Sequence, residues 1–171
     1  NYKADKVLGN YGNDSWREVL RRAPFGFAAA FRYDVLHCYF GRSILFWEDL
    51  GTWNRFPYAD LKIARALGKS IFMTLQGCDA RMASESWRRN RFTPCSPGLC
   101  AAYDTCIRTL DDDRRKMIEE VLPLCDHVFY LNPELGHFVP QGTFLPYASA
   151  EIENVPFLPP RQEGALRIVH A

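Results

Sequence analysis

The stretch Ser70-Ile-Phe-Met-Thr-Leu-Gln-Gly77-Cys-Asp-Ala-Arg81 decides how this chain is read. An apolar run of strand length breaks off in Gly-x-Asp-x-Arg, directly after a helix-like segment that stops at Gly68-Lys69. In an open α/β sheet, ligands bind in the crevice outside the carboxyl ends of the strands. Gly77 at such an end lets backbone approach a ligand, and Asp79 and Arg81 add charge of both signs. Ordinary strand-to-helix turn chemistry, with Asp79 as a helix cap and Gly77 serving the bend, explains the same residues equally well.

Working outward, Tyr33-Asp-Val-Leu-His-Cys-Tyr-Phe40 is expected as a buried strand ending at Gly41-Arg42-Ser43, and His127-Val-Phe-Tyr-Leu131 as another, followed by a short helix from Asn132-Pro-Glu134. Between the first two strands, Leu61, Ile63, Ala64 and Leu67 give a helix its packing face. Pro57 suits its first turn, Asp60 its positive end, and Gly68 its left-handed stop. A second helix is expected over 109–122, with Asp111, Asp112 and Asp113 in the first turn and an Asp112–Lys116 pair. Residues 80–100, with Pro94, Pro97 and Gly98, are expected to be a loop. Asp14 or Ser15 can cap a helix through Trp16, Val19 and Leu20. Phe25-Gly-Phe-Ala-Ala-Ala-Phe31 is expected as a buried helix, a membrane-surface helix being the other reading. Ala4 to Gly9 is a short strand candidate and 9–14 a loop, while 44–56 is irregular or weakly helical. Thr143 to Tyr147 is a brief extended segment.

Strands alternating with helices point to the α/β class, a Rossmann-like, doubly wound, mostly parallel sheet. The expected organisation is a domain over 1–150 whose first strand is missing or weak, a Pro- and acid-rich linker over 151–164, and the start of a second domain at 165–171. A piece of a larger enzyme is the corresponding expectation.

The bulk properties narrow the function. With 171 residues, 47% hydrophobic and 14% aromatic, the chain can bury one core. Its 21 basic and 20 acidic residues balance to +1, which gives no global reason to expect nucleic acid or an anionic membrane as partner. No apolar run approaches the roughly 20 residues of a membrane helix, and the start shows no signal-peptide pattern, so a cytoplasmic protein is expected. Six cysteines stand at 38, 78, 95, 100, 106 and 125. Burial as small hydrophobes is the reading for Cys38, Cys78 and Cys125, with free thiols in a reducing compartment. The spacing of Cys95, Cys100 and Cys106 matches no compact zinc pattern, and no metal is expected.

Three segments fall at carboxyl ends of expected strands: His37 to Arg42, Gln76 to Arg81, and Tyr130 to Glu134. The substrate-binding candidates are therefore His37, Gly41, Arg42, Gln76, Gly77, Asp79, Arg81 and Asn132, and no residue is assigned as catalytic. A core histidine satisfied by backbone is the other reading of His37. The arginines 81, 88, 89 and 91 suit a phosphate or an acidic sugar, or form a solvated loop face. Asp111-Asp-Asp113 resembles an Asp-x-Asp metal motif, yet helix electrostatics account for it. No dinucleotide, Walker, zinc-protease or hydrolase signature is present.

Tyr33-Asp-Val-Leu-His37, Phe40-Gly-Arg-Ser43, Leu67-Gly-Lys69, Gly77-Cys-Asp-Ala-Arg81, Asp126-His-Val-Phe-Tyr-Leu-Asn-Pro-Glu-Leu135, Leu145-Pro-Tyr147 and Arg167-Ile-Val-His-Ala171 occur in this order. In that order they resemble the amino-terminal domain of GT-B glycosyltransferases of the glycogen-synthase-like group. The resemblance implies two Rossmann-like halves, a nucleotide-sugar donor held mainly by the second, and a sugar or glycan acceptor held mainly by the first. It implies no cofactor beyond that co-substrate, no nucleic acid, and no activity without the second half; peripheral membrane contact stays open. Many relatives carry histidine where this chain has Gln76, which can hydrogen-bond a sugar but cannot take up a proton. A binding or regulatory module built on the cysteines, and a sugar-nucleotide epimerase of the same fold, are the alternatives.

Overall fold

The computed structural model describes residues 16–45 and 58–146. The expected strand at 4–9, the loop and cap before Trp16, most of the irregular stretch to Phe56, Pro57, Tyr147, the linker and the strand at 165–171 all lie outside the described residues.

Four parallel strands form one sheet in the order β1 (Val35–Tyr39), β2 (Ser70–Leu75), β3 (His127–Tyr130) and β4 (Thr143–Phe144). Val35 stands opposite Ser70, Phe72 opposite His127, and Phe129 opposite Thr143. The fold is thus mixed α/β with a four-stranded parallel sheet, compatible with a Rossmann-like fold. The reversal of strand order that defines a doubly wound sheet does not occur among the described strands.

Consecutive strands are laid down in one direction, and parallel crossovers share one hand, so the connecting helices fall on one face. These are α2 (Ala59–Ala66), α3 (Ala83–Arg89), a single turn α4 (Tyr103–Thr105) and α5 (Asp111–Glu120), while α1 (Trp16–Arg32) precedes β1 and packs beside α2. The main core joins Ala30 of α1, Leu61 and Ala64 of α2, and Met117 of α5 to Leu36, Ile71, Met73, Leu75 and Val128 of the sheet. Alternation along each strand sends the other set to the opposite face. There Val35, His37 and Tyr39 are exposed and Phe72 and Phe129 half-buried.

β2 occupies the residues expected of it. Asp60 does more than favour a helix start: fully buried, it accepts bonds from the Ser43 hydroxyl at 2.7 Å and the Leu45 N–H at 3.2 Å. Gly68 has φ +71° at the end of α2, as expected, but Leu67 is exposed and leaves the packing face to Leu61, Ala64 and the half-buried Ile63. The segments at 16–20 and 25–31 merge into the single helix α1, which contains Pro24. Its buried residues are small: Ala29 and Ala30 pack inward, while Phe27 and Phe31 are exposed. A Cβ on Gly26 would lie 2.6 Å from Leu45 Cγ, so close approach, not bulk, sets this contact.

The segment 80–100 contains α3 where a loop was expected. The reason lies 28 residues away. Asp111 accepts the N–H groups of Ala83 at 2.8 Å and Ser84 at 2.9 Å, capping α3 from outside its own sequence window. Arg114 donates to the same carboxylate at 3.0 Å. Burial works against the Asp111 charge, but the N–H groups of Ser84 and Ala83, and then Arg114, outweigh it and hold the carboxyl below its ordinary value. Helical structure before α5 also begins earlier than expected, through α4 and a wide turn at Cys106–Leu110. Asp112 pairs with Arg115 at 2.7 Å, three residues on, and not with Lys116.

Asp111→Ala removes two backbone caps and leaves Arg114 buried without its partner, and should cost about 3 kcal/mol in urea unfolding. Because the folded carboxyl titrates below the unfolded value of 3.8, its contribution is complete above that pH. It should disappear as pH falls through the folded value. Acid unfolding of the wild type should therefore be steeper than that of the variant.

Candidate functional site

The carboxyl ends of β2 and β3 are built into one rigid rim. After Leu75 the chain turns on Asp79, whose Oδ2 accepts the Gln76 N–H at 2.8 Å and Oδ1 the Gly77 N–H at 2.6 Å. The Gly77 carbonyl accepts the N–H groups of Ala80 at 3.1 Å and Arg81 at 2.8 Å. Such a turn is the local chemistry that a short carboxylate two or three residues downstream supplies.

Two long-range contacts tie this turn to the end of β3. Asn132 donates through Nδ2 to the Gln76 carbonyl. Arg81, with only 7% of its surface exposed, donates through Nε to Glu134 Oε1 at 2.5 Å, and its Nη2 pairs with the same oxygen. Burial opposes the Arg81 charge, but Glu134 more than offsets it and holds the guanidinium above its ordinary pKa. Nη1 of Arg81 also reaches Cys78 Sγ at 3.8 Å.

This geometry sorts the sequence candidates. Gln76, Gly77, Asp79, Arg81 and Asn132 are brought together. Asp79 and Arg81, expected as ligand-facing charges, are spent on the turn and on Glu134. The N–H groups of Gln76 and Gly77 are taken by Asp79, so the expected approach of backbone at Gly77 offers no donors. Gly77 does not have a positive φ, and an added Cβ would meet its nearest neighbour at 3.5 Å. Gly41 belongs to a different device. With φ +63°, after Phe40 at +60°, it turns the chain at the end of β1 beneath the Tyr58 hydroxyl, which donates to its carbonyl at 2.8 Å. A Cβ there would lie 3.0 Å from Met117 Cε. Arg42 is exposed beyond that turn.

His37 does not reach the rim. It lies inside β1 on the open face, stacked on Tyr39 with its Nε2 2.9 Å from the Thr74 hydroxyl. The satisfying group is therefore a side chain, and the histidine is exposed, not a core residue.

What remains to meet a ligand is polar and mostly uncharged. The Gln76 amide, Asn132 Oδ1 and Glu134 Oε2 are half-buried and make no hydrogen bond among the described residues. Amides and a carboxylate oxygen at one rim suit hydroxyl groups, which both donate and accept. Sequence reasoning placed Asn132 and Glu134 at this rim but had no signal for their pairing with Gln76 and Arg81, more than fifty residues away.

The cysteines divide differently from expectation. Cys78 is exposed, while Cys95 and Cys106 are buried with Ala83 in a small second core. Burial, then Asp60, pushes the Cys38 thiol up to about 12, and burial, then Asp126, pushes Cys125 to about 11. Both thiols are accordingly inert. Among the described residues, no group of three or more His, Cys, Asp or Glu is placed to hold a metal ion. No helix among them is long and apolar enough to cross a membrane.

No family model matches this chain, and no curated protein or solved structure matches it.

Glu134→Ala should cost about 3 kcal/mol in urea unfolding, because it strands a buried guanidinium. Replacing both partners, Arg81→Met with Glu134→Leu, should recover most of that loss. A double variant as unstable as the single one would show that the ion pair itself, not the stranded charge, carries the stability.

Proposed function

We propose that this chain supplies the acceptor-side half of a nucleotide-sugar-dependent glycosyltransferase of the GT-B type, transferring a sugar to a sugar or glycan acceptor. The observation that carries the reading is the latched rim: Gln76, Asn132 and Glu134 present hydroxyl-binding groups at the carboxyl edge of a parallel sheet, where α/β folds bind ligands. The ordered motifs resembling the glycogen-synthase-like group, some of which contain these rim residues, also support it. Gln76 and Asn132 then hydrogen-bond acceptor hydroxyls, and Glu134 Oε2 accepts one more. Arg81 and Asp79 hold these groups in place without touching the substrate.

In this reading the donor and its diphosphate belong to a second Rossmann-like domain, where helix N-termini and basic side chains offset the leaving charge without a metal. Asp79, Arg81 and Gln76 do not move protons in the transfer, so the chemistry of the step is left to groups of the assembled cleft.

The test is sugar transfer by the full-length enzyme from a panel of nucleotide sugars. Gln76→Ala should raise the acceptor KM roughly 3- to 10-fold, the worth of one hydrogen bond, with donor KM and thermal unfolding unchanged. A rise in donor KM instead would place the donor at this rim. Absence of transfer from every nucleotide sugar would remove the assignment.

A further inference from the structure

Between Ser86 and Tyr103 the sequence carries Arg88, Arg89 and Arg91 and no acidic residue. The middle of this segment is pinned. Cys95 and Ser96 are only 5% and 4% exposed. Thr93 Oγ1 lies 2.7 Å from the Ser86 hydroxyl and accepts the Cys95 N–H at 3.2 Å. The next turn is fixed by Gly98 at φ +79° and by the Leu99 N–H donating to the Ser96 carbonyl at 3.3 Å.

On either side of that anchor, apolar side chains are held out into water. Phe92 is 85% exposed and Leu99 84%, and Trp87 on α3 is 46% exposed. The three arginines are exposed beside them. Arg91 lies over the Phe92 ring at 5.4 Å, so charge and aromatic surface are presented together. Nearly full exposure of a phenylalanine and a leucine on an anchored turn is unfavourable in water and favourable at the boundary of headgroups and acyl chains. Arginines around such projections attract anionic headgroups, and a tryptophan suits the interfacial level.

We propose that residues 86–103 dock this protein peripherally on an anionic lipid surface, Phe92 and Leu99 entering the interface and Arg88, Arg89 and Arg91 contacting headgroup phosphates. Single-stranded nucleic acid fits less well, because Leu99 offers no ring for a base to stack on.

The experiment is co-sedimentation of the full chain with vesicles of phosphatidylcholine alone and of phosphatidylcholine mixed with phosphatidylserine. Binding is expected only to the mixed vesicles and should weaken as salt is raised. The triple variant Arg88→Gln, Arg89→Gln, Arg91→Gln should lower partitioning about 100-fold, at roughly fivefold per arginine. Phe92→Ser with Leu99→Ser should lower it by at least about tenfold. Because all five side chains are exposed, thermal unfolding should stay unchanged, and Leu99→Ser alone provides a milder variant. Phe27→Ser with Phe31→Ser, on the exposed side of α1, should bind as the wild type does. Equal binding to neutral vesicles, dependence on Phe27 and Phe31 instead, or binding of a single-stranded oligonucleotide but not of the mixed vesicles would overturn the proposal.

Discussion

Arg81 has lost most of its water, and Glu134 makes that tolerable. A guanidinium at low exposure carries a desolvation cost that only a close, well-aligned carboxylate offsets. Here both bonds run to one oxygen, Oε1, which keeps the other available. The pair joins the connection after β2 to the connection after β3, and Asn132 makes the same crossing to the Gln76 carbonyl. Strand pairing alone would align β2 and β3 while leaving their loops independent. The two crossings convert the loops into one surface of set shape, the property a binding site needs before it can discriminate ligands.

A second long-range carboxylate shapes the next part of the chain. Asp111 caps α3 across 28 residues and binds Arg114 at the same time. Without it, two N–H groups at the start of a seven-residue helix would be left without acceptors. The cap fixes α3 against the turn before α5, and α3 in turn carries the arginine-rich segment. Rim and projecting segment are therefore successive stages of one connection, each held by a partly or fully buried acid.

The two faces of the sheet differ sharply. Helices cover the face of Leu36, Ile71, Met73 and Val128, whereas His37, Tyr39, Phe72 and Phe129 form a band of rings on the other. Parallel sheets are ordinarily covered on both faces. The described helices cover one, because a strand order without reversal sends every crossover to the same side. This also explains why a histidine expected at the rim sits elsewhere. Its position in β1 sets its face, and the face, not its distance from the strand end, decides what it meets.

Much of the local structure was legible in the residues alone. The apolar run Ser70–Leu75 is β2, Gly68 ends α2, and Pro133 opens a helical turn, because each depends on propensity, backbone angle or a short apolar run. The strand-end segments Gln76 to Arg81 and Tyr130 to Glu134 were also legible as neighbours, since strand ends follow from strand identity, whereas His37 to Arg42 does not join them. What tertiary structure alone decided is how the charges are used. Asp79, Arg81 and Asp111 look alike as exposed polar residues in a sequence, yet one closes a turn, one is buried against Glu134 and one caps a remote helix. Their partners for the last two tasks lie 53 and 28 residues away. Local sequence specifies which backbone segments form. The assignment of a charge to structure or to ligand depends on which distant group folding brings within hydrogen-bond reach, and on how much water is excluded when it arrives.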